Sequence, residues 1–171
     1  ETGLEVAVGG IRDTLGSVPK PIWMTEGSPI THRMANGLYK HTLAIPSDDD
    51  VIGSSDRLAR YLVSMLANGV SRIFLYSMHS HGSFETAPKK WNALTTDEGY
   101  LHPSGAAHSH AAWMLEDLSF VERMDLMEGI HAYVFSGSNR AVAAVSSSPE
   151  HAAWTLPMED RLSMTDLFGY P

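Results

Sequence analysis

Apolar positions recur along this chain at two spacings, one helical and one extended. Over residues 3–15, Leu4, Val8, Ile11 and Leu15 fall at i, i+4, i+7 and i+11, one face of a helix that Gly16 stops. After Pro19 and Pro21 comes a strand, Ile22-Trp23-Met24-Thr25, which ends on Glu26 and breaks into Gly27-Ser28-Pro29. Strict alternation gives Ile22, Met24 and Glu26 one face and Trp23 and Thr25 the other, with Trp23 expected in the core against a helix. Residues 27–53 are rich in Gly, Pro, Ser and Asp and predict a long loop, with a helical turn near 32–39. Ser54-Ser55-Asp56 then offers an N-cap, followed by the apolar stripe Leu58, Tyr61, Leu62, Met65 and Leu66.

Gly69 supplies the next stop, and Val70 leads into a second strand expected over Arg72–Met78. An irregular stretch follows from His79 to His102. Pro103 suits the first position of a third helix, where Ala107, Ala111, Met114, Leu115 and Leu118 face inward. The last third changes period. Residues 130–135 and 140–145, joined by Ser136-Gly137-Ser138-Asn139, read as a β-hairpin, with a further short strand expected at Trp154–Leu156. The first two-thirds alternate helix and strand, which implies parallel strands covered by helices. The long connections are those that follow the strands, where α/β folds place their working face. Glu26 and His79 both belong to that face.

Composition narrows the classes of function. The 171 residues are 43% hydrophobic and 19% charged, and no apolar run approaches the roughly 20 residues that span a bilayer. No membrane partner is expected. A formal charge of -8 without a Lys/Arg cluster argues against nucleic acid. The run Asp48-Asp49-Asp50 is expected in a solvated loop, since calcium needs more oxygen ligands at regular spacing. The chain has no cysteine, which excludes disulfides and thiolate zinc sites. His79/His81 and His108/His110 both read His-Ser-His. On a helix such a pair points about 200° apart and cannot chelate one ion together. The first pair lacks an evident third ligand, so no metal and no cofactor is expected.

The phrase Lys20-Pro21-Ile22-Trp23-Met24-Thr25-Glu26 resembles the K-P-I-W-x-T-E-x-G form that carries the nucleophile in retaining glycoside hydrolases of the (β/α)8-barrel superfamily, clan A. Gly27 stands one place earlier than usual. Residues 67–77 resemble the seventh barrel helix running into strand eight, and 91–103, from Trp91 to Pro103, resemble the approach to the last helix. The hairpin and residues 166–171 look like the small β-sandwich beside many such barrels. Met78 stands where many relatives have a tryptophan that floors the sugar subsite.

The resemblance implies an α/β fold: the C-terminal portion of a (β/α)8 barrel over residues 1–118, then part of an antiparallel β-sandwich over 119–171. At 171 residues the chain is shorter than the roughly 250 typical of such a barrel. Strands one to six and the general acid/base are therefore expected outside it, on the same polypeptide or an associated chain. Ile22, Met24 and part of Ile73–Met78 are expected to line an inward face left short of neighbours.

Retaining hydrolysis needs two carboxyl groups about 5–5.5 Å apart, one attacking the anomeric carbon and one serving as acid, then base. The resemblance makes Glu26 that nucleophile on a carbohydrate substrate, with Tyr76, His79, His81 and Trp91 as candidate substrate-binding side chains. Two alternatives stay open. One is a carbohydrate-binding barrel relative without activity; the other is a different (β/α)8 enzyme in which Glu26 acts as a base or metal ligand.

Overall fold

A computed structural model describes residues 2–18, 20–27, 48–75, 94–95, 99–147 and 163–171. Its elements in order are α1 (Thr2–Leu15), β1 (Ile22–Gly27), α2 (Asp48–Ala67), β2 (Val70–Leu75), α3 (Pro103–Leu115), β3 (Ser119–Met127), β4 (Ile130–Ser136) and β5 (Ala141–Ser147). The architecture is mixed α/β. β1 and β2 pair in parallel, and β3-β4-β5 form an antiparallel sheet in chain order.

α2 is the spine. Leu58 and Leu62 meet Leu94, Ile73, Leu75 and Ala111 on one side. Met65 and Tyr61 meet Val8 of α1 and Ile22, Met24, Val70 and Ile73 of the parallel strands. Val63, Leu66 and Ala67 meet Leu115, Tyr133, Phe135 and Val142 on a third side. One helix thus contributes to each apolar cluster among the described residues, which requires an apolar arc wider than the stripe of an ordinary surface helix. α1 and α2 pack on β1 and β2, while the antiparallel sheet lies beyond α2 and α3.

Several boundaries differ from the sequence reading. α2 starts at Asp48, so Asp48-Asp49-Asp50 form its first turn rather than a solvated loop. Acidic residues are favoured there because the first N–H groups of a helix are unpaired and the macrodipole is positive. Ser54-Ser55-Asp56 accordingly lie inside the helix, and Ser55 is fully buried. β2 begins at Val70, two residues earlier than expected. Residues 119–127, to which the hydrophobic pattern assigned no element, form β3. The expected turn near 32–39 and the short strand at 154–156 lie outside the described residues.

Other elements follow the pattern closely. Gly16 and Gly69 both have positive φ, as helix-ending glycines do. Pro103 opens α3, Ala107 and Leu115 are buried, and Ala111 and Met114 are half-buried. Leu118 lies past the helix end but still packs on the Leu115–Phe135 cluster. Arg140 donates to the carbonyls of Trp113 and Glu116 at 2.9 and 3.0 Å, satisfying the last turn of α3 from the β4–β5 connection.

α3 is seated by a close backbone approach. Leu94 carbonyl oxygen accepts from His102 N at 2.9 Å, and a Cβ on Gly105 would stand 2.5 Å from that same oxygen. The oxygen is held by its hydrogen bond and cannot retreat cheaply. Gly105→Ala is expected to destabilise the fold by about 1–3 kcal/mol, the ordinary cost of overpacking. A denaturant midpoint equal to that of the parent chain would contradict this seating.

Candidate active site

The site expected from the sequence begins at the C-terminal end of β1, where position 26 is the last but one residue of the strand. Parallel strands of α/β folds present their ligand sites at this end, because the loops that follow converge there. Tyr76, His79, His81 and Trp91, all named as candidate substrate contacts, lie outside the described residues. So does Met78.

The two faces of the parallel pair differ sharply. Ile22, Met24, Ile73 and Leu75 are half-buried against the helices, and Val70 is fully buried. Ile22, Met24, Ile73 and Leu75 are among the residues expected to be left short of neighbours; they touch the helices and stay half-buried. The opposite face carries Trp23, Thr25, Arg72 and Phe74, all exposed. Trp23 is 50% exposed and Phe74 48%, so Trp23 is not packed on a helix as expected. Alternation separated Ile22 and Met24 from Trp23 and Thr25 but cannot say which group faces the core.

On that open face the aromatic groups associate with one another. The rings of Trp23 and Phe74 lie 6.3 Å apart at 48°, and the Arg72 guanidinium stands 4.9 Å from the centre of the Trp23 ring. Both distances fall within the range of aromatic and cation–π attraction. The result is a small apolar and cationic surface running toward the C-terminal end of the sheet.

The ladder between β1 and β2 is irregular at two points. Ile22 pairs with Val70 and Trp23 with Arg72, so β2 advances two residues while β1 advances one. Met24 pairs with Ile73 and Gly27 with Leu75, so there β1 advances three residues while β2 advances two. The second slip spans Thr25 and Glu26. The assignment of Glu26 to the face of Ile22 and Met24 rested on unbroken alternation and loses that basis.

A cleft of about 360 Å³ lies elsewhere, between α2, α3, β5 and the turn at residues 165–167. Its polar groups are largely committed to one another. Arg60 pairs with Asp56 at 2.8 Å and with Ser146, and His110 meets Thr165 Oγ1 at 3.1 Å. Among the described residues no three His, Asp or Glu side chains gather in a metal-binding group. His108 is half-buried on α3, and burial holds its pKa below the ordinary imidazole value. His110, two residues on, is engaged by the C-terminal turn instead.

No known protein family matches the chain, and no curated protein does. Among solved structures, a family 39 glycoside hydrolase from the gut symbiont Bacteroides cellulosilyticus WH2 is similar over 85% of this chain, with a TM-score of 0.57 and 18% identity. The matched part makes up 27% of that protein, so the chain spans about a quarter of the structure it matches. The likeness is one of fold: the α/β arrangement described above is like part of a glycoside hydrolase.

The depressed pKa of His108 makes a signed prediction. The folded chain binds its proton less readily than the unfolded chain, so stability is complete above the unfolded value, about 6.5, and falls as pH drops below it. Denaturant midpoints between pH 7 and pH 5 are expected to fall more steeply for the parent chain than for His108→Gln. Parallel slopes would assign the loss to other groups.

Proposed function

We propose that this chain is the C-terminal part of a (β/α)8-barrel O-glycoside hydrolase that works by the retaining, double-displacement mechanism, with Glu26 as nucleophile. Residues 1–118 supply the last βα units of the barrel and 119–171 part of an accessory β-sandwich. The remaining strands and the acid/base carboxyl lie outside the chain, on the same polypeptide or an associated one. The substrate is a carbohydrate, and no cofactor takes part.

The observation that carries this reading is the open face of the parallel sheet. Parallel sheets are normally covered on both faces, and here only the helix side is covered among the described residues. Curving such a pair into a barrel puts helices outside and the other face inside, where Trp23, Thr25 and Phe74 would become interior wall. The likeness to part of a family 39 glycoside hydrolase and the Lys20–Glu26 phrase support the same arrangement. Both an inactive carbohydrate-binding relative and a non-glycosidase barrel would share the fold, so chemistry must decide.

In the proposed mechanism Glu26 is ionised and attacks the anomeric carbon, forming a glycosyl ester as the partner carboxyl protonates the leaving oxygen. Water, deprotonated by that partner, then cleaves the ester. A strand end serves the nucleophile because the backbone is fixed and only side-chain torsions remain to be held. Tyr76, expected on the second strand, and His79, His81 and Trp91, expected in the stretch after it, would help to hold the sugar.

Incubating the complete protein with a 2-fluoro glycoside is expected to leave a covalent sugar adduct on the peptide containing Glu26. Glu26→Gln is expected to abolish labelling and lower kcat by about a thousandfold, on the order of 4 kcal/mol of transition-state stabilisation. Turnover with an adduct on some other carboxylate would remove Glu26 from the nucleophile's role. A folded protein with neither turnover nor adduct on a broad panel of glycosides would favour the inactive relative.

A further inference from the structure

We propose that the open edge of β5 accepts a short, extended, basic segment of another polypeptide as an added strand, in the cleft between α2, α3 and the turn at residues 165–167. Five consecutive residues of β5, 142–146, line that cleft. Side chains on one face of a strand would supply only every second residue, so a consecutive run means that the cleft follows the strand's edge. Among the described residues β5 pairs with β4 on one side and with no strand on the other.

The register says which backbone groups this edge offers. Gly137 N–H donates to the Arg140 carbonyl at 2.9 Å, and from that bonded pair the antiparallel ladder alternates between bonded and non-bonded pairs. Val142, Ala144 and Ser146 therefore exchange bonds with Phe135, Tyr133 and His131. Ala143 and Val145 fall in the alternate pairs, so their N–H and C=O groups point away from β4. No hydrogen bond among the described residues reaches those groups. The two residues stand about 7 Å apart along the strand, the repeat that a second extended backbone would match.

The two edges of the sheet are built differently. β3, at the far edge, carries Glu122, Arg123 and Asp125 and slips register twice, devices that keep strands from adding. β5 has a ladder without a slip and the sequence Ala-Val-Ala-Ala-Val-Ser-Ser, with neither charge nor proline. Its edge is recessed instead, in a cleft whose helical walls include the small Ala59 and Ala111 and so leave room for a backbone. Charge selects the occupant. Arg60 is already tied to Asp56 and Ser146. Asp166 Oδ1 accepts from the N–H groups of Phe168 and Tyr170 at 2.8 and 2.9 Å, and its other oxygen has no partner among the described residues. Two carboxylates against one guanidinium, on a chain of formal charge -8, favour lysine or arginine in the added strand and disfavour a second copy of this chain. Strand addition here does not depend on the glycosidase reading.

Residue-resolved amide exchange of the complete protein provides the test. Without peptide, Ala143 and Val145 are expected to exchange fast and Val142 and Ala144 slowly. The acetylated, amidated peptide Lys-Val-Thr-Val-Lys, at millimolar concentration and low salt, is expected to slow Ala143 and Val145 by at least about fivefold, and Glu-Val-Thr-Val-Glu to leave them unchanged. Val145→Pro removes a donor that points off the sheet, so it should keep Val142 and Ala144 protected and lose the peptide's effect on Ala143. Ala143 and Val145 already slow without peptide would mean that the protein's own chain fills the edge, and would overturn the proposal. So would no slowing by the basic peptide, equal slowing by the acidic one, or an undiminished effect in Val145→Pro. Should Val145→Pro fail to fold, the two peptides on the unsubstituted protein decide.

Discussion

A parallel pair of strands must be covered on both faces, and this constraint orders the whole chain. The helices cover one face through Val8, Leu58, Leu62 and Met65. The other face keeps two large rings and a guanidinium half in water. Burying an aromatic side chain is worth on the order of 2 kcal/mol, so a surface of this kind is more readily explained as a wall awaiting its interior than as a finished exterior. A barrel supplies that interior through its own curvature, without a further layer of helices.

α2 ties this unfinished wall to the rest of the molecule. Because its side chains enter all three apolar clusters found among the described residues, the parallel pair and the antiparallel sheet are held through one helix. Arg140 adds a second tie, from the hairpin to the end of α3. A strand end that must hold a carboxylate to within a fraction of an ångström benefits from such support, since looseness in the scaffold is looseness in the site. Under the glycosidase proposal, position 26 would owe its precision to residues far from it in sequence.

Much of this was legible in the hydrophobic pattern. Leu4–Leu15, the stripe from Leu58 to Leu66, Pro103 with Ala107 and Leu115, and the 130–145 hairpin all declared their elements, because periodic burial leaves a periodic sequence. β3 left no such trace. It is exposed along nearly its whole length and its ladder slips between Phe120 and Glu122 and again between Asp125 and Met127, so no alternation was imposed on it. The start of α2 was missed because an acidic run suits a loop and a helix N-terminus alike. Trp23 was assigned to the wrong face for a more general reason: alternation separates two faces without labelling them. The slip beside Glu26 was invisible, since pairing register is a property of two strands and not of one.

The central claim is that the open face of the parallel pair is the inner wall of a sugar-cleaving barrel. The most direct measurement is an experimental structure of the complete protein with a sugar-derived inhibitor bound. The account predicts Trp23 and Phe74 enclosed by further parallel strands, and a second carboxyl about 5–5.5 Å from that of Glu26 across the anomeric carbon. Trp23 and Phe74 facing bulk water, with no carboxyl within about 10 Å of Glu26, would contradict it, because neither hydrolytic geometry tolerates so wide a gap.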